Sequence, residues 1–329
     1  MLLRKRHVLV LLGLLALAQA SAAHAYSWPI KPFGRQHPIR GNFGDPRTIF
    51  SYSLSSAALF GPGDFSFHNG VDIAARPYTR VYPVMSGTVR FKNDLGLVIV
   101  DSPDGYTFQY DHLEVMVEQG QEVVAHRTLL GYVQNWAAHV HLTEIRFGHV
   151  QNPAQPGHLT PFRDHTRPRI EAIGVRNYRS RDEAPLGVHG RVQLIAEIYD
   201  NQPMRVPGVW AGMPLVPSTV SWRLDQLYPK RKNVVPLTKS VDFSESLPSN
   251  RQFWRIYARG TYQNMPRFGT EILTGMPGRF LFRLNPELLD TRNLKNGVYS
   301  ITVFARDERG NVGRASMRIA IENPRTHSP

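Results

Sequence analysis

Apolar residues in this chain alternate in short runs and almost never recur at helical spacing. Side chains in a strand repeat every two residues and in a helix every 3.6, so the pattern points to an all-β chain. Val81–Phe91, Gly96–Val100 and Tyr106–His112 read as strands of the first half. Asp101-Ser102-Pro103-Asp104-Gly105 is a strong turn signal between the last two. Candidate strands of the second half are Ile170–Val175, Val192–Tyr199, Thr219–Leu224, Phe253–Ala258, Phe280–Leu284, Val298–Ala305 and Ala315–Ile321. Seven short strands over such a length suggest a β-sandwich. The 26 Gly and 25 Pro punctuate the extended segments throughout.

Within the first half, chemistry concentrates between His68 and His141. Three sparse elements stand in order: His68-Asn69-Gly70-Val71-Asp72, then Tyr110-Asp111-His112-Leu113, then His139-Val140-His141. In a strand, residues i and i+2 share a face, so His139 and His141 point into one groove. One of them can bind a metal while the other stands beside a substrate. Gly70 and the β-branched Val71 and Ile73 argue for a loop entering a strand at Val71–Ala74. That loop brings His68 and Asp72 to one point. Imidazole and carboxylate donors suit zinc best. Two His and one Asp leave a fourth position open, as in a catalytic site. No His-Glu-x-x-His helix is present, so a glutamate base of that kind is absent, and the unassigned His112 and His139 are the available proton carriers and transition-state stabilisers. In a chain with 13 His, each pair alone means little, and the ordered combination carries the argument.

That order resembles the lysostaphin/LytM-like zinc peptidases of the M23 family, whose pattern is His-x-x-x-Asp, a later Tyr-x-His-Leu and a final His-x-His strand. The resemblance spans about residues 35 to 163 and includes Gly41, Phe43, Gly44, Pro46 and Arg47, Val84–Val89, Val117–Val123 and Leu130–Val133. It implies a LytM-like antiparallel β-sheet peptidase domain holding one zinc per chain. It also implies His68, Asp72 and His141 as zinc ligands, and His112 and His139 as catalytic histidines. The family's glycine-rich run before the histidine pair is replaced by Asn135-Trp136-Ala137-Ala138, and His126-Arg127 stand where a glycine or lysine turn is common.

The rest of the chain reads as delivery and support. Arg4-Lys5-Arg6, the 11-residue apolar run Val8–Ala18 and Ala23-His24-Ala25 form a secretory signal over residues 1–25. A membrane span needs roughly 20 apolar residues, so no transmembrane segment is expected after cleavage. The division expected is a signal at 1–25, a peptidase domain at 26–165 and a second domain at 166–329, with Arg163–Pro168 as linker. Gly297–Asp307 with Gly310-Asn311 loosely resembles the last hairpin of immunoglobulin-like modules, giving an immunoglobulin-like β-sandwich as the expectation for that domain.

Charge divides the chain at the same place. Residues 26–165 carry 11 Lys+Arg against 12 Asp+Glu, and residues 166–329 carry 25 against 14. A net +11 on the second domain suggests a polyanion partner. In an exported, periplasmic or secreted protein that partner is peptidoglycan or another anionic envelope polymer rather than nucleic acid. The function expected is an exported zinc metallo-endopeptidase acting on peptidoglycan cross-links. The alternative is a non-catalytic envelope protein of the same fold that binds wall peptides or activates another hydrolase.

Overall fold

A computed structural model of the chain describes residues 25–48, 65–177, 181–183, 185–229, 231–264 and 277–324. The signal segment lies outside the described residues, apart from Ala25. The first part contains β1 (Ile39–Gly41), β2 (Pro46–Arg47), β3 (Ser66–Phe67), β4 (Val71–Ala74), β5 (Arg80–Val81), β6 (Gly87–Lys92) and β7 (Val98–Asp101). It continues with β8 (Tyr106–Asp111), β9 (Leu113–Val115), β10 (Glu122–Val123), β11 (Gly131–Val133), β12 (His139–Arg146) and β13 (His149–Gln151). The main sheet has the order β1-β4-β12-β8-β7-β6-β10 and is antiparallel throughout. β13 pairs with the second half of β12, beyond the end of β4. A smaller sheet, β5-β11-β9, adjoins it.

The two sheets enclose a core that includes Trp28, Val71, Ile73, Val98, Phe108, Tyr110, Val140 and Leu142, all without measurable exposure. One buried carboxylate sits in it between two donors. Glu144 of β12 accepts from the Tyr26 hydroxyl at 2.5 Å and from His158 Nδ1 at 2.7 Å. A fully buried carboxylate is tolerated because both neighbours are donors. The turn read at 101–105 forms as expected, with Asp104 and Gly105 both at positive φ and Ser102 N–H donating to Tyr106 C=O. Val81–Phe91 is not one strand: Val81 belongs to the small sheet and Gly87 begins β6. Pro83 lies between them and has no N–H for a ladder.

The second part contains β14 (Arg169–Asn177), β15 (Asp182–Glu183), β16 (Arg191–Tyr199), β17 (Thr219–Tyr228), β18 (Arg231–Asp242), β19 (Leu281–Arg283), β20 (Leu289–Asp290), β21 (Gly297–Arg306) and β22 (Val312–Ile321). Two antiparallel sheets, β15-β14-β16-β19 with β20, and β18-β17-β21-β22, share one core. Leu194, Ala196 and Ile198 of the first sheet meet Val220, Leu224, Ile301 and Val303 of the second. β18 escapes sequence reading because it is a polar strand containing Pro236, paired among the described residues with β17 alone. Phe253–Ala258 is not a strand. Residues 253–256 form one helical turn, preceded by a 3-10 turn over 250–252 whose N-cap Ser249 accepts from Arg251 N–H. A short run in which every residue but Arg255 is apolar does not separate the two periods.

The two parts share side chains. Phe43 and Phe67 come from the first part but lie in the core of the second, against Phe243, Phe253 and Tyr257. The Tyr257 hydroxyl donates to Gly44 C=O at 2.6 Å, and Asn152 N–H donates to Glu245 C=O at 2.8 Å. The Asp200–Val216 loop reaches back as well: Val216 N–H donates to Asp45 Oδ1 at 2.9 Å and Val216 C=O accepts from Asn42 Nδ2 at 3.1 Å. The stretch 163–168 carries no strand.

Candidate active site

Five sequence-selected residues converge on the middle of the main sheet. β12 is flanked by β4 and β8, and His141 stands opposite Asp72 on one side and Asp111 on the other. His139 and His141 share a face, as period-two geometry requires. His68 arrives on the turn between β3 and β4. Gly70 makes that turn possible, because a Cβ there would meet Leu142 O at 2.3 Å and the His141 ring at 2.9 Å. His112 follows β8 with φ of 69°. That left-handed step breaks the strand and swings the ring to 4.4 Å from His139, beside the edge of Trp136.

Three ligand atoms form a closed triangle. His68 Nε2 lies 3.1 Å from Asp72 Oδ1, His141 Nδ1 lies 3.0 Å from the same oxygen, and the two nitrogens are 2.8 Å apart. All three residues are buried. The outer partners set the tautomers. His68 Nδ1–H donates to Asn42 C=O at 2.8 Å, and His141 Nε2 pairs with Thr143 Oγ1 at 2.8 Å. With those protons turned outward, two lone pairs and a carboxylate oxygen face each other, an arrangement that a cation relieves. Arg47 Nη2 donates to the other oxygen of Asp72 at 3.0 Å and so aims Oδ1 inward. Burial, then the Arg47 guanidinium, depress the His68 imidazole to about 3. Burial opposes ionisation of Asp72, but the surrounding imidazoles, His68 first, hold it well below the usual carboxylate range. A neutral imidazole beside an ionised carboxylate is the state that zinc requires. The donor set of His68, Asp72 and His141 therefore fits a single zinc ion.

His139 stands beside the triangle. Its Nδ1–H donates to Ala137 C=O at 2.8 Å, so Nε2 presents a lone pair, 3.3 Å from Asp72 Oδ1. Ala138, within the run where the family carries glycines, holds a left-handed φ of 52°. That backbone suits glycine and costs alanine about 1 kcal/mol. His126 likewise takes φ of 57° where a glycine turn is common. Burial lowers the basicity of His139, and burial with the neighbouring His139 takes His112 down to about 2.

Four further residues shape the site. Thr143 lay within reach of sequence reasoning, since it follows His141 by two on the same strand face. Asn42, Arg47 and Arg40 come from other segments, and no spacing links them to the histidines. Arg40 lies at a bulge of β1, where Ile39 and Gly41 face the adjacent Ile73 and Asp72. Its Nη2 is 3.3 Å from His139 Nε2.

Residues 66–153 match the family model of Peptidase family M23. The first part is M23-like. No curated protein matches the chain. Among solved structures, the chain is similar to the SpoIIQ–SpoIIIAH pore-forming complex, at 21% identity over 40% of this chain and 89% of that one, TM-score 0.29. It is similar to a zinc-containing peptidase from Vibrio cholerae, at 19% identity over 40% of this chain and 39% of that one, TM-score 0.30. It is also similar to the catalytic domain of a mutant of the prophage-encoded M23 protein EnpA from Enterococcus faecalis, at 25% identity over 30% of this chain and 85% of that one, TM-score 0.25. Among the described residues, no helix is long and apolar enough to cross a membrane.

Proposed function

We propose that this chain is an exported zinc metallo-endopeptidase that hydrolyses peptide bonds in peptidoglycan cross-links. The observation that carries the reading is the inward-facing triangle of His68, Asp72 and His141 with His139 beside it and His112 packed against His139. In this reading the three residues of the triangle hold the metal. Zinc, when bound, supplies a Lewis acid for the peptide carbonyl and for the attacking water. His139 Nε2, left unprotonated by the bond from Nδ1–H to Ala137, accepts a proton and returns it to the leaving amine. His112, packed against His139 and neutral, donates toward the oxygen that gains charge. Trp136, 66% exposed beside His112, offers an apolar wall for substrate.

The peptide-bond chemistry follows from the M23-like fold and the donor set. The cross-link substrate follows from the resemblance and from the secretory signal read in residues 1–25. The division into a peptidase domain at 26–165 and a basic, immunoglobulin-like domain at 166–329 belongs to the same proposal. The net +11 of the second domain supports retention on an anionic wall polymer. Salt-sensitive co-sedimentation of the mature chain with purified sacculi is the expected behaviour. Sedimentation that ignores salt would remove this targeting role.

The deciding experiment is turnover of purified sacculi by residues 26–329, with mass spectrometry of released fragments and a zinc-checked His139→Ala control. New peptide termini from wild type only would establish the hydrolase and name its bond. No release with zinc bound would move the chain to wall-peptide binding.

A further inference from the structure

Arg40 is a buried cation that the reaction described so far does not use. It is 6% exposed, and among the described residues its Nε and Nη1 have no hydrogen-bond partner. Nη2 alone is engaged, with His139 Nε2 at 3.3 Å. Two donor nitrogens without partners on a buried guanidinium cost free energy that a bound anion would recover. Bulges re-aim side chains next to active sites, and the bulge at Arg40 does so toward His139.

The face of this guanidinium is covered from the other part of the chain. Its central carbon lies 4.0 Å from the centroid of the Trp210 ring. Such stacking fixes the plane of the cation and leaves its in-plane N–H groups for a ligand. Trp210 ends a short 3-10 turn, Gly208–Trp210, in the loop after β16. Gln202 latches that turn, donating to Trp210 C=O at 2.8 Å and accepting from Gly212 N–H at 3.0 Å. Gly208 and Gly212 both hold left-handed φ, 70° and 73°, with nothing within 4 Å of a Cβ position. The turn therefore has a glycine at each end and open space around both.

We infer that Arg40 binds a carboxylate of the substrate next to the scissile bond, and that Trp210, from the C-terminal sandwich, positions it. The second part of the chain is thereby a component of the active site. The inference rests on the peptidase reading for its substrate class, but not for its binding chemistry.

The test uses the zinc-loaded mature chain and soluble cross-linked muropeptides released from sacculi. One batch keeps its carboxyl groups and the other has them amidated with carbodiimide and ammonia. Binding and cleavage are measured separately for wild type, Arg40→Met, Arg40→Lys, Trp210→Ala and Trp210→Phe, each with zinc content and thermal unfolding checked. Wild type should bind the carboxylate form about 10- to 100-fold tighter, the scale of a charge-assisted hydrogen bond. Arg40→Met should bind both forms alike, Arg40→Lys should retain part of the preference, and Trp210→Ala should lose much of it while Trp210→Phe recovers it. Binding of both forms alike by wild type, or a preference that survives in Arg40→Met, would overturn the inference. If neither form is cut but the preference holds and depends on Arg40, the inference stands and the peptidase reading falls. If both are cut and bound equally, the reverse follows. Should Arg40→Met fail to fold, Arg40→Lys and Trp210→Ala decide the matter.

Discussion

Gly70→Ala tests whether the His68 turn is built around its contact with β12. The added Cβ would sit 2.3 Å from Leu142 O and 2.9 Å from His141 Cε1 and Nε2. Ordinary contact begins near 3.4 Å, so the turn must retreat from the β12 backbone by about 1.1 Å. The backbone of Leu142 cannot yield, because β12 is paired on both sides there. The retreat falls on His68 and Asp72, which bracket Gly70. Metal–ligand distances tolerate only about 0.2 Å. Zinc affinity should fall at least as far as when an outer partner of a ligand is removed, about 10- to 100-fold. Overpacking should cost about 1–3 kcal/mol of stability in the zinc-free chain. Competition with a chromophoric chelator measures the first and denaturant unfolding the second. Gly34→Ala, with nothing within 4 Å, is the control. Wild-type zinc affinity in Gly70→Ala would refute the reasoning, since the triangle would then not depend on that close approach.

His141→Ala or Asp72→Ala should release zinc and abolish turnover, whereas His139→Ala should keep zinc and lose about 100- to 10,000-fold in turnover. Loss of zinc from His139→Ala, read by metal analysis, would erase the division between ligand and proton carrier. Phe67→Ala should destabilise the whole chain by about 3–5 kcal/mol in one transition, because Phe67 is 1% exposed in the core of the second part while its strand belongs to the first. Two separated transitions in denaturant, with one unmoved, would show that the parts fold independently. Asp200 is raised to about 9 by burial, then by Glu308, Asp164 and Asp307, and Asp45 and Glu308 are each raised to about 7 by burial. The native state holds these protons more tightly than the unfolded chain, so stability falls as pH rises from about 4 through 9. His68, depressed to about 3, acts oppositely: its stability is lost as pH falls below about 6.5. Asp200→Asn should therefore raise the unfolding temperature at pH 8.5 more than at pH 6. An equal shift at both would contradict the assignment.

The residues that meet at the candidate site, and most of the strands, were legible in the sequence. Ligand types, their order and the period-two spacing of His139 and His141 are local properties of the chain. The strand at Val71–Ala74 follows from β-branched residues after Gly70, and the turn at 101–105 from Pro, Asp and Gly. What lay beyond reach has a common cause. Arg47 against Asp72 and Asn42 against His68 are contacts between separate segments, and register, not spacing, creates them. The edge strand β18 hid behind Pro236 and polar residues, because an edge needs no apolar alternation on both faces. The 253–256 turn hid in an apolar run too short to show its period. The largest decision was tertiary. A linear reading divides the chain at 165 on charge, but Phe43 and Phe67 are buried in the core of the sandwich and Trp210 of the sandwich covers Arg40. Burial of aromatic area is non-directional and ignores chain order, so no local pattern could announce that the two parts meet beside the candidate site.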